Sequence, residues 1–274
     1  MFKLAVVQMS VECGNREKNL RHAEELIAAA AANGAAVALL PEAMDLGWTH
    51  PTAADQASAI PTGDTCRALR SAAWKHKIFV CAGLIERDRD TTYNSAVLIS
   101  RTGKVLLHHR KLNELEIGFP YYGQGNMLNV AHTELGAIGL LICADANAEH
   151  YCLSRALCYM GADIILSPAA WAVPPGHDNV KEPYGDTWRR SYVPIAREYK
   201  VWYCGASNVG PICGGPWDGW KDIGCSLVID PDGREVVQGP YGENAETILY
   251  VDVELKPRPA RGCAWGTYHA KHDG

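Results

Sequence analysis

A chain of 274 residues, 47% of them hydrophobic, is long enough to bury a sizeable core as one large α/β domain or two small ones. A net charge of -5 supplies no basic field for nucleic acid, and no apolar run is long enough to span a membrane, so the expected partner is a small molecule rather than a nucleic acid or a membrane. Ten cysteines without one CxxC pair predict reduced, packed thiols, with no metal site and no cofactor, and the opening "MFKLAVVQMS" has no signal-peptide pattern, so a cytoplasmic protein is expected.

In chain order, "KLAVVQM" (3–9) reads as a strand, and Asn15 opens a helix that runs at helical spacing to a C-cap at Asn33-Gly34. "AAVALLPEAM" follows as a buried strand broken at Pro41. This order then returns. "GAAVALLPEAM" from Gly34 matches "GADIILSPAAW" from Gly161, and "KIFVCAG" from Lys77 matches "KVWYCGA" from Lys200. "SAVLISRTGKVL" from Ser95 matches "CSLVIDPDGREV" from Cys225, each a hairpin turning at Gly103 or Gly233. Two copies of one strand and helix order predict an α/β fold, a four-layer α-β-β-α sandwich with internal pseudo-twofold symmetry, spanning 1–274 as a single domain. Two separate lobes would need a flexible linker between residues 110 and 136, but that stretch is rich in Tyr, Leu and Phe and reads as an ordered loop. Residues 256–274, polar and holding Pro257 and Pro259, read as a C-terminal arm.

The copies differ where chemistry is expected. After the shared proline the first half has Glu42 and the second Ala169; at the end of the opening strand the first has Met9 and the second Cys143. Both positions lie at C-terminal strand ends, the edge where α/β sheets place their sites. "ADANAEHYCLSRALCYMGA" after Cys143 is expected to turn into a helix whose N–H groups point at the sulfur, with Asp145 capping it. Lys111, at the exit of the first hairpin, is a cation that would lower the pKa of both the acid and the thiol and hold a developing oxyanion.

"LLPEAM" with Glu42, "HHRKLNE" with Lys111 and "GLLICAD" with Cys143, separated by 69 and 32 positions, resemble the three signature segments of the nitrilase superfamily, the carbon-nitrogen hydrolases. The resemblance covers nearly the whole chain. It implies a Glu-Lys-Cys triad on an αββα sandwich: Glu42 as general base, Cys143 as nucleophile forming a thioester, Lys111 and the Ala144 N–H as oxyanion donors. It also implies a second glutamate in the loop after the lysine, for which Glu116 is preferred to Glu114 because its distance to the Tyr-Tyr-Gly turn fits better.

Nitrilases proper place Trp-Glu directly after the cysteine. This chain has Ala144-Asp145, which points to an amidase acting on a small amide or N-carbamoyl compound. Asn147 and Trp171 are candidate substrate contacts beside Ala144, and Trp188, Trp217 and Trp220 are placed in surface loops over the mouth or at a subunit contact. The alternatives are a nitrilase or an acyltransferase with the same triad, a catalytically silent scaffold, or a thiol redox or metal protein. The family resemblance implies a homodimer or a larger homo-oligomer.

Overall fold

Asn15 accepts a hydrogen bond from the Lys18 N–H through its side chain and so caps the first helix; Gly34, at φ +78°, ends it in a conformation that favours glycine. In this computed structural model, which describes residues 1–262, that helix belongs to a first series: β1 (Phe2–Gln8), α1 (Arg16–Ala32), β2 (Val37–Leu39), α2 (Ala53–Gln56), α3 (Asp64–His76), β3 (Phe79–Asp88), β4 (Thr91–Ile99) and β5 (Val105–Arg110). The second series is β6 (Val130–Thr133), β7 (Gly136–Leu140), α4 (Cys152–Met160), β8 (Ile164–Ala169), β9 (Ala172–Val173), α5 (Asp186–Tyr199), β10 (Trp202–Ser207), β11 (Val209–Pro211), β12 (Lys221–Ile223), β13 (Leu227–Ile229), β14 (Glu235–Gln238) and β15 (Thr247–Val253).

The duplication read from the sequence is visible in the sheets. One has the order β15-β1-β2-β3-β4-β5 and the other β14-β13-β10-β8-β7-β6, so β1-β2-β3-β4-β5 corresponds to β7-β8-β10-β13-β14. Each sheet gains one antiparallel edge strand: β15 beside β1, and β6 beside β7. A small third sheet, β11-β12-β9, is built from segments of the second half only.

Alternation along the strands sorts side chains into layers. Leu4, Val6, Leu39, Phe79, Cys81 and Leu98 of the first sheet pack with Ile138, Leu140, Ile164, Leu166 and Cys204 of the second. Their neighbours Ala5, Val7, Ala38, Val80 and Val97 face the other way, against Ala23, Ile27 and Ala30 of α1 and Leu69, Ala72 and Ala73 of α3. Residues that correspond between the halves meet where the sheets face each other. The Glu42 N–H donates to the Ala169 carbonyl at 3.1 Å, joining the two positions at which the copies diverge. Gly83 allows this approach, since a Cβ there would lie 2.5 Å from the Glu42 Cα.

The 110–136 stretch is ordered, as its composition implied. It holds a 3-10 turn at Glu116–Gly118, the Tyr122 hydroxyl accepts from the Thr49 N–H, and Gly125 N–H donates to the Lys111 carbonyl. From the described part of the expected C-terminal arm, Lys256 pairs with Asp232 and Arg258 with Asp163 at 2.8 Å, so residues 256–262 run along their own chain; residues 263–274 lie outside the described residues.

The segment after Cys143 departs from expectation. It forms a five-residue 3-10 turn, Cys143–Asn147, then a second at Glu149–Tyr151, and the α-helix begins only at Cys152. The reason is Asp145. Its carboxylate is fully buried and accepts from the N–H groups of Ile142, Leu112 and Asn113 at 2.9, 3.0 and 2.7 Å and from His109 Nε2 at 2.8 Å. Asp145 therefore caps its turn, as read from the sequence, and also ties the loop after Cys143 to the loop after Lys111. Burial works against the ionised carboxylate, but these donors outweigh it and hold Asp145 below its ordinary value. Its contribution to stability is thus present above the unfolded carboxylate pKa and is lost as pH falls through the lower folded value. We expect Asp145→Asn to keep the shape, lose the charge and lower stability by roughly 3 kcal/mol, measured by urea unfolding at neutral pH. The deficit relative to wild type should shrink under acid.

Candidate active site

Glu42, Lys111 and Cys143 leave three different strand ends and meet between the sheets. Lys111 Nζ lies 2.9 Å from Glu42 Oε1 and 2.9 Å from Glu114 Oε1, with all three side chains almost wholly buried. Asn94 Nδ2 donates to Glu42 Oε1 at 2.6 Å and to Glu114 Oε2 at 3.1 Å, closing a ring of two carboxylates, an ammonium and an amide. The Cys143 thiol lines the same cavity as Glu42 and Lys111, with Ala170 beside it. Cys143 sits at φ 45°, in the left-handed region, at the point where β7 gives way to the 3-10 turn; this conformation costs about 1 kcal/mol and turns the side chain out of the strand alternation into the cavity.

Burial dominates the electrostatics. It raises the Glu42 carboxyl above its ordinary value, and the neighbouring Glu114 charge adds to this while Lys111 opposes it. Burial first and Glu42 second push the Cys143 thiol well up, against the pull of Lys111. Burial alone would lower Lys111, but the charges of Glu42 and Glu114 outweigh it and keep the ammonium well above its usual range. Lys111 does pull both partners down, as expected, but burial outweighs the pull of one ammonium shared between two carboxylates, so both stand above their ordinary values. Cys143 rests as a thiol beside a base able to take its proton.

The second glutamate is also corrected. Glu116 is exposed at the start of its 3-10 turn, whereas Glu114, three residues from Lys111, reaches back to the ammonium, and Gly118 leaves room for its side chain. Spacing to a distant turn was a weaker guide than reach from the lysine.

Cys143 opens into a cavity of about 240 Å³. Ala144 and Asn147 line it as expected, together with Asn113 and the side chains of Trp48, Tyr184, Trp188 and Trp217. Trp171 does not. It is buried behind the wall, stacked on Trp188 at 4.7 Å, so it supports a lining residue rather than touching the cavity. Trp188 likewise leaves its predicted surface loop: it is buried on α5. Trp217 does come from the Gly/Pro-rich loop, packed between Trp48 and Trp220 at 4.7 Å from each. Sequence reasoning missed Trp48, Tyr184 and Asn94. The last left a signal, an asparagine in the middle of a β-rich run, where that residue is disfavoured unless its amide is used. Among the described residues no cluster of three or more His, Cys, Asp or Glu is placed to hold a metal ion, and no helix is long and apolar enough to cross a membrane.

Residues 3–257 match the family model for carbon-nitrogen hydrolases. Among characterised relatives, a nitrilase of Pyrococcus abyssi is 30% identical over 93% of this chain and 91% of its own. An omega-amidase of Bos taurus is 26% identical over 93% of this chain and 89% of its own. Among solved structures, an amidase of Nesterenkonia sp. AN1 superposes with a TM-score of 0.77 at 22% identity, covering 93% of each chain. The match over the whole sheet-and-helix duplication, at a length that includes Glu42, Lys111 and Cys143, is the conclusion that the site had prepared: this chain belongs to the carbon-nitrogen hydrolase family of the nitrilase superfamily.

Proposed function

We propose that this chain hydrolyses a non-peptide carbon-nitrogen bond of a small, neutral amide or N-carbamoyl compound through a cysteine thioester. The observation that carries this reading is the Glu42–Lys111 ion pair at 2.9 Å set beside the Cys143 thiol in the lining of one cavity. Attack of the sulfur on the carbonyl carbon passes the thiol proton to Glu42, and the Lys111 ammonium with the Ala144 N–H stabilises the oxyanion. Collapse returns that proton to the departing nitrogen, which leaves as ammonia or an amine. A water that gives its proton to Glu42 then attacks the thioester, the acid leaves, and Cys143 recovers its proton. Glu114 and Asn94 position Lys111 and Glu42. A glutamate-to-glutamine mutant of the Nesterenkonia amidase, which has the same fold, shows the acetamide moiety of fluoroacetamide added covalently at its active-site cysteine, which supports the same role for Cys143.

Neutrality follows from the walls. Lys111 is the cavity's only cation among the described residues, and both its partners are already carboxylates, so a carboxylate on the substrate would meet no free counter-charge. The aromatic side chains instead favour an apolar substituent. Nitrile hydrolysis is the second reading, favoured by the Pyrococcus abyssi relative and opposed by the absence of Trp-Glu after the cysteine.

A panel of neutral amides, N-carbamoyl compounds and nitriles, assayed for ammonia with Cys143→Ala as blank, tests these readings. Amide turnover is expected, with activity lost about 10⁴-fold or more in the blank; nitrile turnover alone would favour the second, and no turnover anywhere would overturn both. Glu114→Gln is expected to lower kcat about 100-fold, whereas Glu116→Gln should stay within about twofold of wild type. With Glu42 acting as a base, kcat/KM should fall as pH drops through a midpoint above the ordinary carboxyl value of 4.5, and should show no alkaline rise near neutrality from a thiolate.

A further inference from the structure

Two thiols outside the catalytic cluster are held together by segments far apart in the chain. β1 continues past its last residue to pair with β11: Val209 N–H donates to the Met9 carbonyl at 2.9 Å and Val11 N–H to the Val209 carbonyl at 3.1 Å. That pairing brings Cys13 beside Cys213. Their sulfurs share one acceptor, the Pro211 carbonyl, at 3.0 and 4.0 Å. They line one small cleft together with Trp48 and Asp222. Cys213 starts a tight loop closed by Ile212 N–H to the Trp220 carbonyl at 2.9 Å and by Gly219 N–H to the Ile212 carbonyl at 2.9 Å. Gly214 and Gly215, at φ +69° and +70°, turn that loop, and Trp217 at its far side packs on Trp48 in the wall of the catalytic cavity.

The geometry points to Cys13 and Cys213 as a reversible disulfide site, open to low-molecular-weight disulfides, whose bond fixes the loop that carries Trp217 over the catalytic cavity. Cys213 is exposed and starts the exchange. Its sulfur attacks the small disulfide, whose S–S bond breaks; one small thiol leaves with the proton, and a mixed disulfide remains on Cys213. Burial first and the neighbouring Cys213 second push the Cys13 thiol up to about 12, so it does not initiate, but its place beside Cys213 at the same carbonyl is where the second step needs it. Cys13 displaces the second small thiol, which takes its proton. Two protein thiols are oxidised and one small disulfide is reduced to two thiols.

The site does not depend on the hydrolase reading, and neither does its test. Full-length protein is incubated with oxidised glutathione and digested without reduction, and its peptides are mapped by mass spectrometry. A Cys13–Cys213 cross-link that reductant removes is expected; Cys13→Ser should trap glutathione on Cys213, and Cys213→Ser should leave Cys13 unmodified. Glutathione persisting on Cys213 in wild type, or absence of the cross-link, would overturn the site. The second readout is the rate at which iodoacetamide alkylates Cys143, also followed by mass. It should fall several-fold in the cross-linked protein relative to Cys13→Ser, and equal rates would overturn the link to the cavity while leaving the disulfide standing.

Discussion

One buried ammonium between two buried carboxylates is the constraint around which this molecule is arranged. Lys111 contacts both Glu42 and Glu114 at 2.9 Å, and removing the ammonium would leave two carboxylates uncompensated in the interior at a cost of about 3–5 kcal/mol. Such a cluster persists only if its surroundings hold each member in place. Asn94 ties the carboxylates together, Asp145 joins the lysine and cysteine loops, and Gly83 lets Glu42 approach the neighbouring strand.

The duplicated fold explains why the cluster can exist. Two sheets packed face to face bury the ends of their strands against each other, and corresponding positions meet there; Glu42 and Ala169 are joined by a backbone hydrogen bond. Symmetry supplies two equivalent frames, but only one of each pair of positions carries chemistry. Glu42 and Lys111 come from the first half and Cys143 from the second, so neither half contains the whole cluster. The aromatic wall is likewise composite, with Trp48 from the first half against Trp217 and Trp188 from the second.

Burial also decides the resting protonation. A thiol near an ammonium would ordinarily lose its proton more easily, but here burial and the adjacent carboxylate outweigh that pull. The arrangement keeps the Cys143 thiol neutral and gives Glu42 a raised proton affinity.

Local pattern was enough to determine α1 with its Asn15 cap and Gly34 stop, the hairpins turning at Gly103 and Gly233, the repeat, and from it the layered architecture. Each of these rests on periodicity, turn chemistry or a repeated order of elements, which neighbouring residues express by themselves. Glu42, Lys111 and Cys143 were legible for another reason: each interrupts an apolar run at a strand end, and together they match a family's spacing. Only the tertiary structure decided between Glu114 and Glu116, set Trp171 behind Trp188, and held the segment after Cys143 in a 3-10 turn. Those outcomes depend on side chains brought from distant segments into one small volume, where reach, packing and desolvation are set by the whole fold, so no local stretch encodes them.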